Sequence, residues 1–297
     1  MNTILINIIK ERSSALQPKP TNVEPNLQSI PSIKVVLFDV YGTMFISASG
    51  DVGSAQESHK SEAIAQAYEE IGINNPSEDL YVRTSSLLLE IIKDIHAEGK
   101  KRGIQHPEVE IRDVWWRVFS KLEQLGIYDF SLDDKDVDIF AVTYELCSNP
   151  TWPMPNCKEI ITSLQNSGFR LGIVSNAQFY TPLLFPAYFD QTVNELGFEP
   201  PLCAWSYQFA EAKPSTALFQ NILNTLSREN IAPHEVVYIG NDKLNDIKSA
   251  KEAGLKTVLF AGDSRSLRLR SDWQECRNIS PDAVITDLSQ LNTVFSG

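Results

Sequence analysis

Continuous apolar runs of strand length alternate with amphipathic helical stretches along most of the chain. The runs are rich in Val, Ile and Phe and end at turn residues, which is typical of strands buried on both faces. The predicted strands are Ile33–Phe38, Phe169–Val174, Leu202–Tyr207, Val236–Ile239, Thr257–Phe260 and Ala283–Ile285. The predicted helices between them are Cys157–Asn166, Ser215–Leu226 and Asn245–Ala253. This alternation predicts an α/β fold with a Rossmann-like, doubly wound parallel sheet.

The stretch from about residue 54 to 150 breaks this alternation. It shows four helical patterns and no convincing strand; in one of them Ser77 can cap the helix and Gly103 can end it. An all-helical block inserted after the first strand of a sheet indicates a separate cap domain. The predicted division is an N-terminal extension at 1–32, an α/β core at 33–50 and 151–297, and a helical cap at 51–150.

The N-terminal extension has a composition of its own. Its first residues, MNTILINIIK, predict a short amphipathic turn of helix, too short to span a membrane and without the basic region of a signal peptide. Residues 12–32 contain four prolines and many Ser, Asn and Gln, which is typical of a tether or a meandering loop.

The net charge limits the classes of partner, and the cysteine content indicates the cellular compartment. The formal net charge of −12 argues against nucleic acid and against anionic membrane surfaces as partners. An anionic substrate would therefore need local positive charge. The four cysteines form no CxxC pair, which indicates ordinary thiols in a reducing compartment. We expect a cytoplasmic protein; the sequence leaves its oligomeric state open.

Polar side chains follow the predicted strands at the edge where open parallel sheets bind ligands. Asp39 follows the first strand, and Ser175 with Asn176 follows the second. Lys213 precedes a proline between the third and fourth strands. The fourth strand is followed by Asn241-Asp242 and by Asn245-Asp246, which open a helix. Three carboxylates, a lysine, a hydroxyl and several amides are thus expected to converge.

Four short motifs occur in a fixed order at these places: DVYGT (39–43), VSN (174–176), KP (213–214) and GNDKLND (240–246). Together they resemble the four motifs of the haloacid dehalogenase-like hydrolase superfamily, with a DxYGT form of the first. The resemblance covers the predicted core, and the helical insertion sits where that family places a cap.

The resemblance implies a covalent mechanism. Asp39 would be a carboxylate nucleophile that forms an aspartyl intermediate, which water then hydrolyses. Thr43 would shape the pocket, and Ser175 with Asn176 would hold the anionic group of the substrate. Lys213 would balance the charge on Asp39 and on the transferring group.

The resemblance also implies a metal. Asp39, the backbone carbonyl of Tyr41, Asp242 and Asp246 would hold Mg²⁺, a hard cation that takes a few carboxylates together with substrate oxygens and water. Like-charged carboxylates at about 4 Å repel by on the order of 4 kcal/mol at an effective dielectric near 20, which a divalent cation would relieve. A simpler interpretation of Asp246 and Asn245 is that they cap their helix.

Tyr41 favours a different reaction. Phosphatases of the family carry an acid at this position, whereas DxYGT is the form seen in its 2-haloacid dehalogenases, which use no metal. Those dehalogenases use a cap arginine to take the halide, and the corresponding segment here, QAYEEIGINN (66–75), has none. The family's dehalogenases also have small neutral residues where this chain has Asp242.

The favoured prediction is Mg²⁺-dependent hydrolysis of a small phosphorylated metabolite with a good leaving group. A metal-independent 2-haloacid dehalogenase is the alternative, and a non-catalytic binding module on the same fold is a second alternative. Arg265, Arg268 and Arg270 near the C-terminus are interpreted either as a surface ion-pair face or as groups that hold an anion near the site.

Overall fold

The computed structural model describes residues 2–48, 57–74 and 77–296. The strands are β1 (Val35–Phe38), β2 (Phe45–Ser47), β3 (Thr151–Pro153), β4 (Arg170–Ser175), β5 (Phe198–Trp205), β6 (Val236–Gly240), β7 (Lys256–Phe260) and β8 (Ala283–Ile285). Six of them form a parallel sheet in the order β5-β4-β1-β6-β7-β8. The chain extends the sheet first on one side of β1 and then on the other, so the carboxyl end of β1 lies at the switch point.

Helices cover both faces of this sheet, which confirms the predicted α/β class. The helices are α1 (Asn2–Arg12), α2 (Glu57–Glu70), α3 (Glu78–Lys101), α4 (Ile111–Gln124), α5 (Asp134–Ser148), α6 (Cys157–Asn166), α7 (Leu184–Phe189), α8 (Ser206–Phe209), α9 (Ala217–Ser227), α10 (Ser249–Glu252) and α11 (Leu291–Val294). Along β1, Val36 and Phe38 face the layer that contains α6, while Val35 and Leu37 face α9. Both faces are therefore buried, as the continuous apolar run predicts.

The predicted elements match the structure to within two residues at each end, except at the start of β5. β5 begins before the predicted Leu202 and includes Pro200 and Pro201, which a sheet tolerates because β5 is an edge strand. The predicted helix Asn245–Ala253 starts earlier, as a π-helical turn over Lys243–Lys248 that leads into α10. The antiparallel pair of β2 and β3 was not predicted, because each strand has only three residues.

The segment between β2 and β3 contains α2 to α5 and has its own apolar cluster, which includes Tyr68, Trp115 and Phe140. Its α3 starts as predicted, since the Ser77 hydroxyl accepts a hydrogen bond from the Leu80 amide. The predicted boundary between core and cap, at residues 50 and 51, lies outside the described residues. The division into domains stays a prediction.

The N-terminal residues pack against the rest of the chain. Helix α1 is longer than the predicted turn, and it buries Leu5, Ile8 and Ile9 near α5 and α7. Residues 13–34 contain no helix or strand, yet Asn26 pairs with Val284 beside the sheet. Across the described parts of the chain, every helix lacks the combination of length and apolar character that crossing a bilayer requires.

Candidate active site

The turn after β1 places Asp39 at the switch point of the sheet. The Asp39 side chain is 9% exposed. Gly42 has a φ of +81°, and a Cβ there would lie 2.6 Å from the side-chain nitrogen of Asn241, so only glycine fits. The hydroxyl of the buried Thr43 donates to Asn241 Oδ1 at 3.0 Å. Thr43 therefore fastens the first motif to the fourth.

Lys213 joins two of the predicted site carboxylates. Its Nζ lies 2.8 Å from Asp39 Oδ1 and 2.6 Å from Asp246 Oδ1, and it also donates to the Tyr238 hydroxyl at 2.7 Å. The lysine side chain is only 3% exposed. Burial alone would lower the pKa of Lys213, but Asp246 and Asp39 outweigh it and raise the pKa. The lysine thus stays charged and balances the acids around it.

Asn176 holds the loop that carries this lysine. Its Oδ1 accepts a hydrogen bond from the Lys213 amide at 2.8 Å, and its Nδ2 donates to the Lys213 carbonyl at 3.2 Å. Ser175 is fully buried at the end of β4, and its hydroxyl donates to the Asn176 carbonyl at 3.3 Å. In this arrangement Asn176 lines the cavity beside Asp39, whereas Ser175 lies behind it.

The two acids in the turn after β6, Asp242 and Asp246, make different contacts. Asp242 Oδ1 accepts hydrogen bonds from the Leu244 and Asn245 amides, and both of its oxygens accept from the Arg270 guanidinium. Asp246 points back into the sheet, against Gly240 and Lys213. Asp242 therefore caps the π-helical turn as well as lining the cavity. Burial and the neighbouring carboxylates raise the pKa of Asp246 to about 7, although Lys213 opposes the shift.

These side chains surround a cavity of about 80 Å³ at the carboxyl edge of the sheet. The structure brings together six of the predicted site residues: Asp39, Tyr41, Asn176, Lys213, Asp242 and Asp246. The cavity is also lined by Asn241 and Asn245, amides that the sequence expected to converge here without a specific role, and by Arg268, for which the sequence left two interpretations open. Ser47 and Ser266 line the cavity as well and were not predicted.

Tyr41 lines the cavity but is unsuited to act as a base. Its hydroxyl lies 3.0 Å from the hydroxyl of Thr181. Burial, together with the nearby Glu145 carboxylate, raises the pKa of Tyr41 well above its ordinary value. The phenol therefore stays protonated at neutral pH. Position 41 thus carries a neutral tyrosine and no carboxyl group.

Glu145 is a half-buried residue on α5 that lines a small pocket together with Tyr41. It accepts hydrogen bonds from Asn149 Nδ2 at 3.0 Å and from the Tyr180 hydroxyl at 3.1 Å. Burial raises its pKa, although these two bonds oppose the shift. Asn149 Oδ1 in turn accepts from the hydroxyl of Ser47, a cavity residue. A carboxyl on α5 is thereby linked to the cavity wall.

We expect Glu145→Gln to become more stable relative to wild type as the pH rises. A folded pKa above the unfolded value means that the stabilising contribution is present below the unfolded pKa and is lost as pH rises through the folded pKa. Glutamine stays neutral, so it escapes this loss. Melting temperatures of both proteins measured from pH 4 to 8 should diverge towards high pH; a constant difference would contradict the assignment.

The donor set suits a hard cation. Carboxylate and amide oxygens from three of the motifs line one cavity, and Mg²⁺ needs only one or two carboxylates besides water and substrate oxygens. Residues 2–48, 57–74 and 77–296 contain no group of three His, Cys, Asp or Glu side chains arranged to enclose a metal. Asp39 and the Tyr41 carbonyl would hold Mg²⁺ with Asp246 or Asp242, and Asp242 would have to give up part of its contact with Arg270.

Known proteins with related sequences are phosphatases and hydrolases. A glyceraldehyde 3-phosphate phosphatase of Methanothermobacter thermautotrophicus is 29% identical over 151 residues, which is 48% of this chain and 58% of that protein. A phospholysine phosphohistidine inorganic pyrophosphate phosphatase of Danio rerio is 34% identical over 77 residues, 26% of each chain. This chain spans less than two thirds of either relative.

Solved structures share the fold. A 2-haloacid dehalogenase from Pseudomonas syringae has a TM-score of 0.52 at 24% identity, covering 88% of this chain and 97% of that one. A HAD phosphatase from Thermococcus onnurineus has a TM-score of 0.51 at 19% identity, covering 89% and 99%. The family model for haloacid dehalogenase-like hydrolases matches residues 33–254. The chain therefore belongs to the haloacid dehalogenase-like hydrolase family.

Proposed function

We propose that the protein hydrolyses a small phosphorylated metabolite through a covalent intermediate on Asp39, with Mg²⁺ as cofactor. One observation supports this most directly: Asp39 lies at the switch point of the sheet, on the wall of a polar cavity, with one oxygen held by Lys213 at 2.8 Å. The phosphatase names of the two curated relatives support phosphoryl transfer as the reaction.

In the first step an Asp39 oxygen attacks phosphorus and the bond from phosphorus to the leaving oxygen breaks, which gives an aspartyl phosphate and the leaving group as an alkoxide or carboxylate anion; an alkoxide takes its proton from water. Water then attacks the phosphorus and loses a proton to solvent, the bond to the Asp39 oxygen breaks, and phosphate departs. Lys213 orients Asp39 and offsets charge throughout, while Asn176 fixes the lysine loop. Bound Mg²⁺ would supply charge neutralisation for the phosphoryl oxygens.

The chemistry of Tyr41 limits which leaving groups a substrate can carry. A buried phenol with a raised pKa does not accept a proton from water, and a missing general acid–base forfeits about 10²–10⁴-fold in rate. Acyl phosphates and other esters with good leaving groups need this help least. We therefore expect them to be turned over faster than simple alkyl phosphates.

Metal-independent dehalogenation of a 2-haloacid is the second candidate, favoured by the same tyrosine because a halide leaves without a proton. Asp39 would then attack carbon, and water would attack the ester carbonyl carbon of Asp39 itself. A non-catalytic binding module on this fold is the third.

Isotope labelling separates the two reactions. In H₂¹⁸O, we expect label in released phosphate and none in Asp39, because water attacks phosphorus; a dehalogenase would instead place ¹⁸O in the Asp39 carboxylate. Acetyl phosphate and 2-chloropropionate are the probes, with peptide mass spectrometry as the readout. EDTA should abolish phosphate release and Mg²⁺ should restore it. Halide release that survives EDTA, with label in Asp39, would contradict the phosphatase assignment.

A further inference from the structure

The loop between α3 and α4 pairs with the core immediately before Lys213. The Ala212 amide donates to the His106 carbonyl at 2.8 Å, and the Glu108 amide donates to the Ala210 carbonyl at 3.0 Å. These two bonds enclose an isolated antiparallel bridge. The segment that contains α2 to α5 therefore contacts the core one residue away from the lysine that orients the proposed nucleophile.

The Glu108 side chain connects this loop to the second motif. Its Oε2 accepts a hydrogen bond from the Ser206 hydroxyl at 2.7 Å, and its Oε1 accepts from the Val109 amide at 2.9 Å. Ser206 begins α8, is fully buried and accepts a hydrogen bond from the Ala177 amide at 2.8 Å. Ala177 follows Asn176, whose side chain holds the lysine loop. Glu108 thus reaches that loop by two routes, its own backbone and Ser206.

Gln178 adds a second connection between the same two parts of the chain. Its Oε1 accepts from the Ile111 amide, and its Nε2 donates to the Val109 carbonyl, both at 2.9 Å. Ile111 is the first residue of α4. The loop 106–111 is therefore held against the chain that follows β4 as well as against the chain that precedes Lys213.

The lysine loop depends on such contacts because it has little regular structure of its own. Residues 210–216, between α8 and α9, contain no helix or strand. Ala210 has a φ of +52°, a left-handed conformation that is unfavourable for a residue with a Cβ. Lys213 Nζ nevertheless lies 2.8 Å from Asp39 and 2.6 Å from Asp246. Contacts from outside the loop must contribute to this placement.

We propose that Glu108 is a positioning residue for Lys213. The inference rests on the proposed function, in which Lys213 orients Asp39, and it makes the geometry of the site depend on the segment that contains α2 to α5. Glu108 does not line the cavity, so its effect on the reaction passes through the lysine loop. A carboxyl group suits this task because its two oxygens accept independently, here one bond from a hydroxyl and one from a backbone amide.

Hydrogen exchange of the Ala212 and Lys213 amides, resolved by NMR, tests this without turnover. Glu108→Ala should speed the exchange of both about 10- to 100-fold, the range expected when a hydrogen bond to a charged group is lost. Glu108→Gln keeps the shape and one acceptor oxygen, so it should recover most of the protection. Glu98→Ala, at an exposed glutamate of α3, is the matched control and should stay within about threefold of wild type. Amides of β6 should exchange as in wild type, which would show that the fold is intact.

Turnover of acetyl phosphate gives the parallel measurement. Glu108→Ala should lower kcat about 10- to 100-fold with KM within about threefold, because Asp39 loses an orienting contact that acts in the chemical step. Ser206→Ala removes the same connection, so adding Glu108→Ala to it should cost little more, as expected for residues that act as one unit. Glu108→Gln should restore most of kcat, and Glu98→Ala should keep all of it.

Unchanged exchange of the two amides in Glu108→Ala overturns the inference, and so does an equal increase in β6, which would mean a general loss of stability. Full kcat alongside faster exchange, or additive losses in the double variant, also overturns it. If wild type hydrolyses no phosphate compound while the exchange of both amides depends on Glu108, the proposed function fails and the link between Glu108 and Lys213 stands.

Discussion

Replacing Asp39 with asparagine should reduce kcat by on the order of 10⁴- to 10⁶-fold, as expected when a covalent nucleophile is removed. Asparagine keeps an oxygen that can accept the hydrogen bond from Lys213, so the side chain retains its place. It lacks the carboxylate that forms the aspartyl intermediate. Steady-state release of phosphate from acetyl phosphate is the measurement, with mass spectrometry to confirm that the asparagine has not deamidated.

The control is a carboxylate at the opposite edge of the sheet. Asp282 precedes β8 and pairs with Lys251 at 3.0 Å, far along the strand direction from the carboxyl ends that carry the cavity. Asp282→Asn should leave kcat near the wild-type value. A similar fall in both variants would mean that the loss reflects altered folding rather than altered chemistry.

The same variant separates an enzyme from a binding module. Asp39→Asn should still bind propylphosphonate, since Asn176, Lys213 and the rest of the cavity wall are intact. If wild type shows no turnover on any phosphorylated or halogenated probe, and Asp39→Asn binds propylphosphonate as wild type does, the protein is a binder and the catalytic proposal is wrong. Unchanged turnover in the variant would also contradict a role for Asp39 as nucleophile.

The fold was predictable because the burial of a strand determines which residue types it contains. A strand buried on both faces must be apolar throughout, and Val35–Phe38 shows that pattern without ambiguity. The bounds of Phe198–Trp205 were harder to predict, because Pro200 and Pro201 oppose strand formation locally and are tolerated only at the edge of a sheet. Edge position is a property of the assembled sheet, so local pattern alone did not show that these prolines belong to the strand.

The candidate site could be predicted in part for the same reason. Asp39 and Lys213 follow recognisable elements, and the rule that ligands bind at the carboxyl edge brings them together. Arg268 and Arg270 lie in a segment with no regular structure. In such a segment the pattern of apolar and polar residues does not indicate which way a side chain points. Of the two interpretations, a surface ion-pair face does not describe Arg270, whose partner Asp242 has a side chain only 10% exposed. Glu145 is distant in sequence, and only folding places it beside Tyr41.

Replacing Lys213 with methionine should lower the free energy of unfolding by about 3–5 kcal/mol at neutral pH, the cost of breaking a buried ion pair by removing one partner. Methionine replaces the four-atom apolar stem of lysine but leaves Asp39 and Asp246 without their shared cation. Activity should fall as well, since Asp39 loses its orienting contact. Urea denaturation at pH 7 measures the change in the free energy of unfolding.

The loss should shrink as the pH falls. Burial already raises the pKa of Asp246, and without Lys213 its carboxyl binds a proton more readily in the folded protein than in the unfolded chain, so acid favours the folded variant. The double variant Lys213→Met/Asp246→Asn should recover part of the stability, because one of the two uncompensated charges is gone, but it should recover no activity. Lys10→Met provides the matched control: Lys10 pairs with Asp190 at the surface, 42% and 82% exposed, so its loss should cost far less stability than the loss of Lys213. Equal effects of the two lysine substitutions would contradict a buried charge network, because only Lys213 lies between carboxylates shielded from water.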